Sequence, residues 1–203
     1  MELAIEQFRH AGFKLHLDTG YDFELVNNEL KKESWIPYSE TKLSSGHTPY
    51  ETRYKKNWPD SEILRSILNF MRSDDMKRRY IDIFYTTHNP YFESIWCMKP
   101  EEMFDFVEIG AELVLDQPGF EIPLHIDNRR LVSTGWIYLT PRDDPDWSTY
   151  FYYDIKKSDA PVRATTNPGN GWLIFNDFNT WHEGYNRTQE DRYGMILSLT
   201  IKQ

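Results

Sequence analysis

An antiparallel sandwich or jelly roll, mainly β and with helices at its N-terminal side, is the fold class this sequence predicts. Three observations carry that expectation. After Pro100 the chain breaks into seven or so short alternating segments separated by turn residues, with hardly any helical spacing among them. Helical periodicity is confined to the first half. The length, 203 residues, suits a single domain with one substantial core. Residues 1–105 are read as an irregular and helical support region, and 106–203 as the jelly-roll core.

Residues 1–58 are interrupted by Gly20, Pro37, Gly46, Pro49 and Pro59 close behind, and read as irregular apart from a short helix over Leu25–Lys32. From Asp60 the pattern turns helical. Asp60 or Ser61 can cap, Glu62 favours the first turn, and Ile63, Ile67, Phe70 and Met71 recur at helical spacing. A second helix is expected from Asp75 to about Phe84, with Met76, Tyr80, Ile83 and Phe84 on one face. Phe106–Asp116 alternates and is rich in Val, Ile and Leu, a strand stopped by Gln117-Pro118-Gly119. Further strands are expected over Phe120–Ile126, Val132–Thr140, Tyr150–Ile155, Val162–Thr166, Trp172–Phe175 and Tyr193–Ile201. The run Asn167-Pro168-Gly169-Asn170-Gly171 is a dense turn signal.

Composition narrows the function classes. The net charge of −9 argues against broad binding to nucleic acid or to an anionic membrane, since both need a basic surface. Lys31-Lys32, Arg53 with Lys55-Lys56, and Lys77-Arg78-Arg79 read as solvated basic faces. Cys97 is the only cysteine, which excludes an intrachain disulfide and fits a reducing, cytoplasmic setting. The start, MELAIEQFRHAGF, lacks the apolar stretch of a secretory signal, and no run approaches the ~18 apolar residues of a membrane span.

The chemistry lies in His125-Ile126-Asp127, followed by Trp181-His182-Glu183-Gly184 and Arg192. Residues i and i+2 of an extended segment share a face, so His125 and Asp127 can share one ion. Two histidines and a carboxylate are the ligand set of mononuclear non-haem Fe(II) oxygenases, with an open face for ligands. The ligand set alone does not exclude zinc. A His-x-Asp is weak evidence by itself, and a second copy, His16-Leu17-Asp18, sits before the strand-rich half with no supporting pattern. The copy at 125 follows a strand-turn-strand, and His182 comes 57 residues later, after the apolar run GWLIF. Arg192 lies ten residues beyond His182, where a guanidinium could hold a carboxylate bidentately beside the metal.

In that order and on those elements, the residues resemble the Fe(II)/2-oxoglutarate-dependent dioxygenases, whose fold is a double-stranded β-helix. The prolyl-hydroxylase-like branch is the most similar, through His125-Ile126-Asp127-Asn128, the strand ending Gly135-Trp136-Ile137-Tyr138-Leu139, the Gly turn, the distal histidine and the basic residue after it. The likeness spans roughly residues 106–201. It implies that His125, Asp127 and His182 bind Fe(II), and that Arg192 and Tyr138 hold the distal carboxylate of 2-oxoglutarate. It also implies hydroxylation of an unactivated C–H in a peptidyl, prolyl included, or small-molecule substrate, using O₂ and yielding succinate and CO₂. Asp127 in place of Gly or Ala argues against a halogenase. The Gly-Gly pair common before the fourth strand in prolyl hydroxylases is replaced by DDPDWSTYFYYD, which points to a different substrate. Trp136, Arg129 and Arg130 are candidate pocket residues, and Asn128 and Asn186 candidate supports. A cupin-like metal-binding jelly roll, an isomerase or binding protein without 2-oxoglutarate, is the competing expectation.

Overall fold

The computed structural model describes residues 1–9, 12–38, 52–96, 98–127, 131–157, 159–176 and 180–202. Among them, eight strands form one sheet and four another, and the cavity lies between. The order in the larger sheet is β1 (Glu2–Arg9), β2 (Gly12–Asp18), β10 (Asn170–Phe175), β7 (Leu131–Tyr138), β12 (Arg192–Ile201), β5 (Val107–Asp116), β4 (Arg53–Lys56) and β3 (Ile36–Pro37). The smaller sheet runs β6 (Phe120–His125), β11 (Trp181–Asn186), β8 (Thr149–Tyr152) and β9 (Val162–Arg163). All pairings are antiparallel. The arrangement is a double-stranded β-helix, the jelly roll expected from the alternation after Pro100.

Period-two alternation decides which way each strand faces. On β12, Met195, Leu197 and Leu199 are buried with the helices, whereas Ile196 lines the cavity on the other face. On β7, Trp136 and Tyr138 belong to a second apolar cluster between the sheets, while Ile137 joins the outer core. The outer core is closed by α2 (Glu62–Met71) and α3 (Asp74–Trp96), through Leu64, Ile67, Leu68, Tyr80 and Phe84. Phe175 locks the helices to the sheet: its ring meets Phe84 edge-on at 4.9 Å and Phe13 at 5.5 Å. It has no exposed surface. Truncating such a ring removes its transfer free energy and leaves a cavity, so Phe175→Ala should cost about 3–5 kcal/mol. A denaturant midpoint within experimental error of the parent's would refute that packing role.

The N-terminal region is not irregular. β1 and β2 form a hairpin that extends the larger sheet through β10, and β3 and β4 extend its other edge beyond β5. Phe13, Leu15 and Leu17 are buried and their neighbours Lys14, His16 and Asp18 exposed, the alternation of a half-buried strand. The helix over Leu25–Lys32 is present as α1, Phe23–Leu30, with Asp22 capping the Glu24 amide at 3.0 Å. The α2 stripe is rotated from the expected one: Leu64 and Leu68 are buried, and Ile63 and Phe70 only partly so. The third helix runs well past Phe84. Thr86 and Thr87 donate their hydroxyls to the carbonyls of Asp82 and Ile83 at 2.6 Å and so stay within the helix. A short helix, α4 (Pro100–Phe106), with Pro at its start, precedes β5 and was not expected.

Candidate metal centre and acid-binding cavity

β6 and β11 pair with His125 directly opposite His182, so both imidazoles leave the smaller sheet on one face. Their ring centroids are 4.3 Å apart. Asp127, two residues past His125, brings Oδ1 to 3.4 Å from His125 Nε2 and Oδ2 to 3.8 Å from His182 Nε2. One donor atom from each of the three lies within 4.8 Å of the others. His125 Nδ1 is 2.8 Å from the Pro123 carbonyl and His182 Nδ1 is 3.0 Å from that of Thr180. A carbonyl only accepts, so each Nδ1 carries a proton, and in the neutral rings each Nε2 turns a lone pair toward the centre. Asp127 Oδ2 is buried without a hydrogen-bond partner among the described residues. Two inward lone pairs and an unsatisfied carboxylate oxygen are the donor set a divalent cation satisfies.

Burial works on these groups from both sides. It pushes the Asp127 carboxyl up, but His182 and His125 in their protonated forms outweigh it and hold the acid below its ordinary range. Burial draws His125 down, and Asp127 reverses that, leaving the imidazole above its usual value. His182 is packed by Trp172 at 5.5 Å and Phe151 at 6.0 Å, which excludes water from that side.

The three donors line a cavity of about 420 Å³ between the sheets, within the usual size of a small-molecule site. Among the described residues its other charged lining is cationic: Arg192, from the first position of β12, and Arg53, from β4. Arg53, Asp116 and Arg192 stand in one row across β4, β5 and β12, each directly opposite the next. Arg53 donates Nε to Asp116 Oδ1 at 2.6 Å and a terminal nitrogen to Oδ2 at 2.9 Å. Arg192 donates Nε to Asp116 Oδ2 at 3.2 Å and a terminal nitrogen to the same oxygen, and its other terminal nitrogen to the carbonyls of Trp147 and, at 3.0 Å, Tyr185. Both guanidiniums face the Trp136 ring, with Arg53 at 5.2 Å and Arg192 at 5.0 Å from its centroid. The indole fits because residue 194 is glycine: a Cβ there would come within 2.1 Å of the Trp136 ring.

The structure thus brings together His125, Asp127, His182, Arg192 and Trp136. Tyr138 is placed differently from expectation. Its hydroxyl donates to Thr149 Oγ1 at 3.1 Å and accepts from the Thr149 amide at 3.0 Å, and Thr149 rather than Tyr138 lines the cavity. Asn186 is buried and bonds the carbonyls of Asp116 and Glu190 at 2.8 Å, tying β11 to the arginine row. Asn128, Arg129 and Arg130 lie outside the described residues. The second His-x-Asp is separate from the cavity, with His16 exposed on β2 and bonded to Asn170 at 2.8 Å. Arg53 escaped the sequence reading, which took it for a solvated face; it is 5% exposed. Lys56 and Lys77, from two of the same basic clusters, are also buried. The strand holding His182 was missed as well.

The fold is the double-stranded β-helix of the 2-oxoglutarate- and Fe(II)-dependent oxygenases. A prolyl-4-hydroxylase of Pseudomonas putida superimposes with a TM-score of 0.59 at 11% identity, covering 96% of this chain and 94% of that one. A prolyl hydroxylase of Trichoplax adhaerens, solved with a hypoxia-inducible-factor peptide fragment, gives 0.59 at 13% identity, covering 95% and 84%. HygX of Streptomyces hygroscopicus, with nickel and 2-oxoglutarate bound, gives 0.53 at 10% identity, covering 95% and 84%. No family model and no curated protein matches the sequence.

Proposed function

We propose that the protein is an Fe(II)/2-oxoglutarate-dependent oxygenase that hydroxylates an unactivated C–H of a peptidyl, prolyl included, or small-molecule substrate. One observation carries the reading: three convergent metal donors at one part of a cavity between the sheets whose remaining charged lining, among the described residues, is two arginines. That is a place for a cation and a short acid side by side. The likeness in fold to proteins solved with 2-oxoglutarate, or with a peptide, supports it.

His125 Nε2, His182 Nε2 and the Asp127 carboxylate would hold the metal on one face and leave the other to small ligands. The Pro123 and Thr180 carbonyls keep both imidazoles in the ligating tautomer before any metal arrives. Trp172 and Phe151 shield the metal side from water, and Arg192 offers charge to an acid. Iron with 2-oxoglutarate and O₂ supplies the oxidising power, yielding succinate and CO₂.

The test is anaerobic addition of 2-oxoglutarate to the Fe(II)-loaded protein. A visible metal-to-ligand charge-transfer band should appear and saturate. Absence of the band at saturating 2-oxoglutarate would overturn this reading in favour of a metal-binding jelly roll that uses no cosubstrate.

A further inference from the structure

A second cavity lies apart from the metal donors. It measures about 640 Å³ and is walled by α1, residues 140–142, Trp147, residues 189–191 and Tyr193 of β12. It shares no lining residue with the cavity between the sheets. None of its side chains takes part in the chemistry proposed above.

Two acceptors in its wall have no donor. Asn27, from α1, is 4% exposed, and its Oδ1 is buried without a hydrogen-bond partner among the described residues. Asparagine is a poor choice for a helix interior, and a buried acceptor left unmet is costly, so this position awaits a donor. Asp191, just before β12, is the second. Among the described residues its carboxylate makes no ion pair and no hydrogen bond, and burial, with nothing opposing it, pushes the acid above its usual range.

The two cations on the wall do not serve Asp191. Arg142 pairs with Asp144 at 2.8 Å and Glu190 at 3.4 Å, and lies 5.3 Å from the centroid of the Trp147 ring. Lys31 is offset by Glu24 on the same wall. Three carboxylates, Glu24, Glu190 and Asp191, therefore stand against two cations among the described lining residues, which leaves one negative charge in excess. A carboxylate and an amide oxygen without donors call for a cation that carries N–H groups. Tyr193 and Trp147 are both buried and add aromatic surface, which favours an organic cation over a hydrated metal ion.

We propose that this cavity binds a small organic cation with N–H donors, an alkylguanidinium or alkylammonium, with Asn27 Oδ1 and the Asp191 carboxylate as its acceptors. Because the two cavities share no lining residue, the site stands whether or not 2-oxoglutarate is the cosubstrate.

Calorimetric titration of the Mn(II)-loaded, full-length protein tests this with three probes. Butylguanidinium carries both the charge and the donors, and tetramethylammonium carries the charge alone. N-acetylarginine methylamide presents the same guanidinium on a peptide unit. Butylguanidinium should bind at one site, and tetramethylammonium at least about 10-fold more weakly. Asp191→Asn, which keeps the shape and removes the charge, should weaken butylguanidinium about 10-fold while melting like the parent. Asn27→Leu should weaken it roughly 3- to 10-fold, and Asn27→Asp, which adds a charge at the same place, should tighten it. Tighter binding of the capped arginine than of butylguanidinium would place the cation on a peptide, and the reverse order on a free small molecule; either supports the site. Unchanged affinity in Asp191→Asn would overturn the proposal, as would the absence of saturable heat from both guanidiniums. Tetramethylammonium binding as tightly as butylguanidinium would overturn it too.

Discussion

Asp127→Ala should lose Fe(II) affinity by at least about 100-fold and lose turnover with it, while remaining folded. Even an outer partner of a metal ligand is worth 10- to 100-fold in affinity, and Asp127 supplies the only carboxylate of the donor set. The fold should survive because Asp127 sits past the end of β6 and its Oδ2 has no hydrogen-bond partner among the described residues. In the metal-free protein this carboxylate is a buried charge awaiting a cation, so removing it relieves desolvation as much as it breaks contacts. Melting curves with and without metal separate the two effects. A ligand that binds the native state alone stabilises it by about 2.7 kcal/mol at 100 times its dissociation constant. Added Mn(II) or Fe(II) should therefore raise the parent's melting temperature and leave the variant's unmoved. A variant that still responds to metal like the parent would remove Asp127 from the site.

The parts of this molecule that alternate cleanly were legible in the sequence, and the parts that break alternation for a purpose were not. β5, β6 and β12 are rich in Val, Ile and Leu between turn residues, and their bounds came close to those observed. β11 did not, because Trp181-His182-Glu183-Gly184-Tyr185-Asn186 has no apolar alternation. Its inward residues are His182, Gly184 and Asn186: a metal donor, a residue lining the cavity, and a polar tie to β5. Function consumed the pattern by which the strand would have been recognised. The β1–β2 hairpin was overlooked for a milder reason, since Lys14, His16 and Asp18 dilute a short strand whose Phe13, Leu15 and Leu17 still keep period two.

Arg53 was hidden by distance. Its partner is 63 residues away, and RYKK looks like any solvated basic run until β4 is known to lie beside β5. A signal did exist at the other end of the pair. Asp116 ends a strand in phase with Val114, on the face that becomes the interior, and a carboxylate in that phase requires a cation. Arg192 was legible as a cation at the mouth of the last strand, but its partner Asp116, 76 residues away, was hidden by the same distance. Tyr138 shows how far phase reaches. It shares the β7 face of Trp136, two residues away, but phase could not reveal that its hydroxyl is bonded to Thr149, which lines the cavity.

Asp116→Asn should be the most destabilising single change in the arginine row, and its cost should depend on pH. Asp116 has no exposed surface, and two buried guanidiniums converge on it. Removing the anion leaves both cations buried against each other, a change that costs about 3–5 kcal/mol. Burial pushes the Asp116 carboxyl up, but Arg53 and Arg192 outweigh it and hold the acid below the ordinary carboxylate range. The sign follows from that depression. Above about pH 3.9, the unfolded value, both states are ionised and the full stabilisation is present. Below it the unfolded chain takes up the proton first, so stability falls as the pH drops through the lower folded value. The asparagine variant cannot take part in that titration. Its deficit relative to the parent, measured by chemical denaturation, should hold steady from pH 7 to about 4 and then shrink as the parent loses its advantage. A deficit constant down to pH 2.5 would mean that the carboxylate's charge is not what holds the row together. A dicarboxylate should narrow the same gap at pH 7, because it supplies the missing anion to the two arginines that Asp116 had shared.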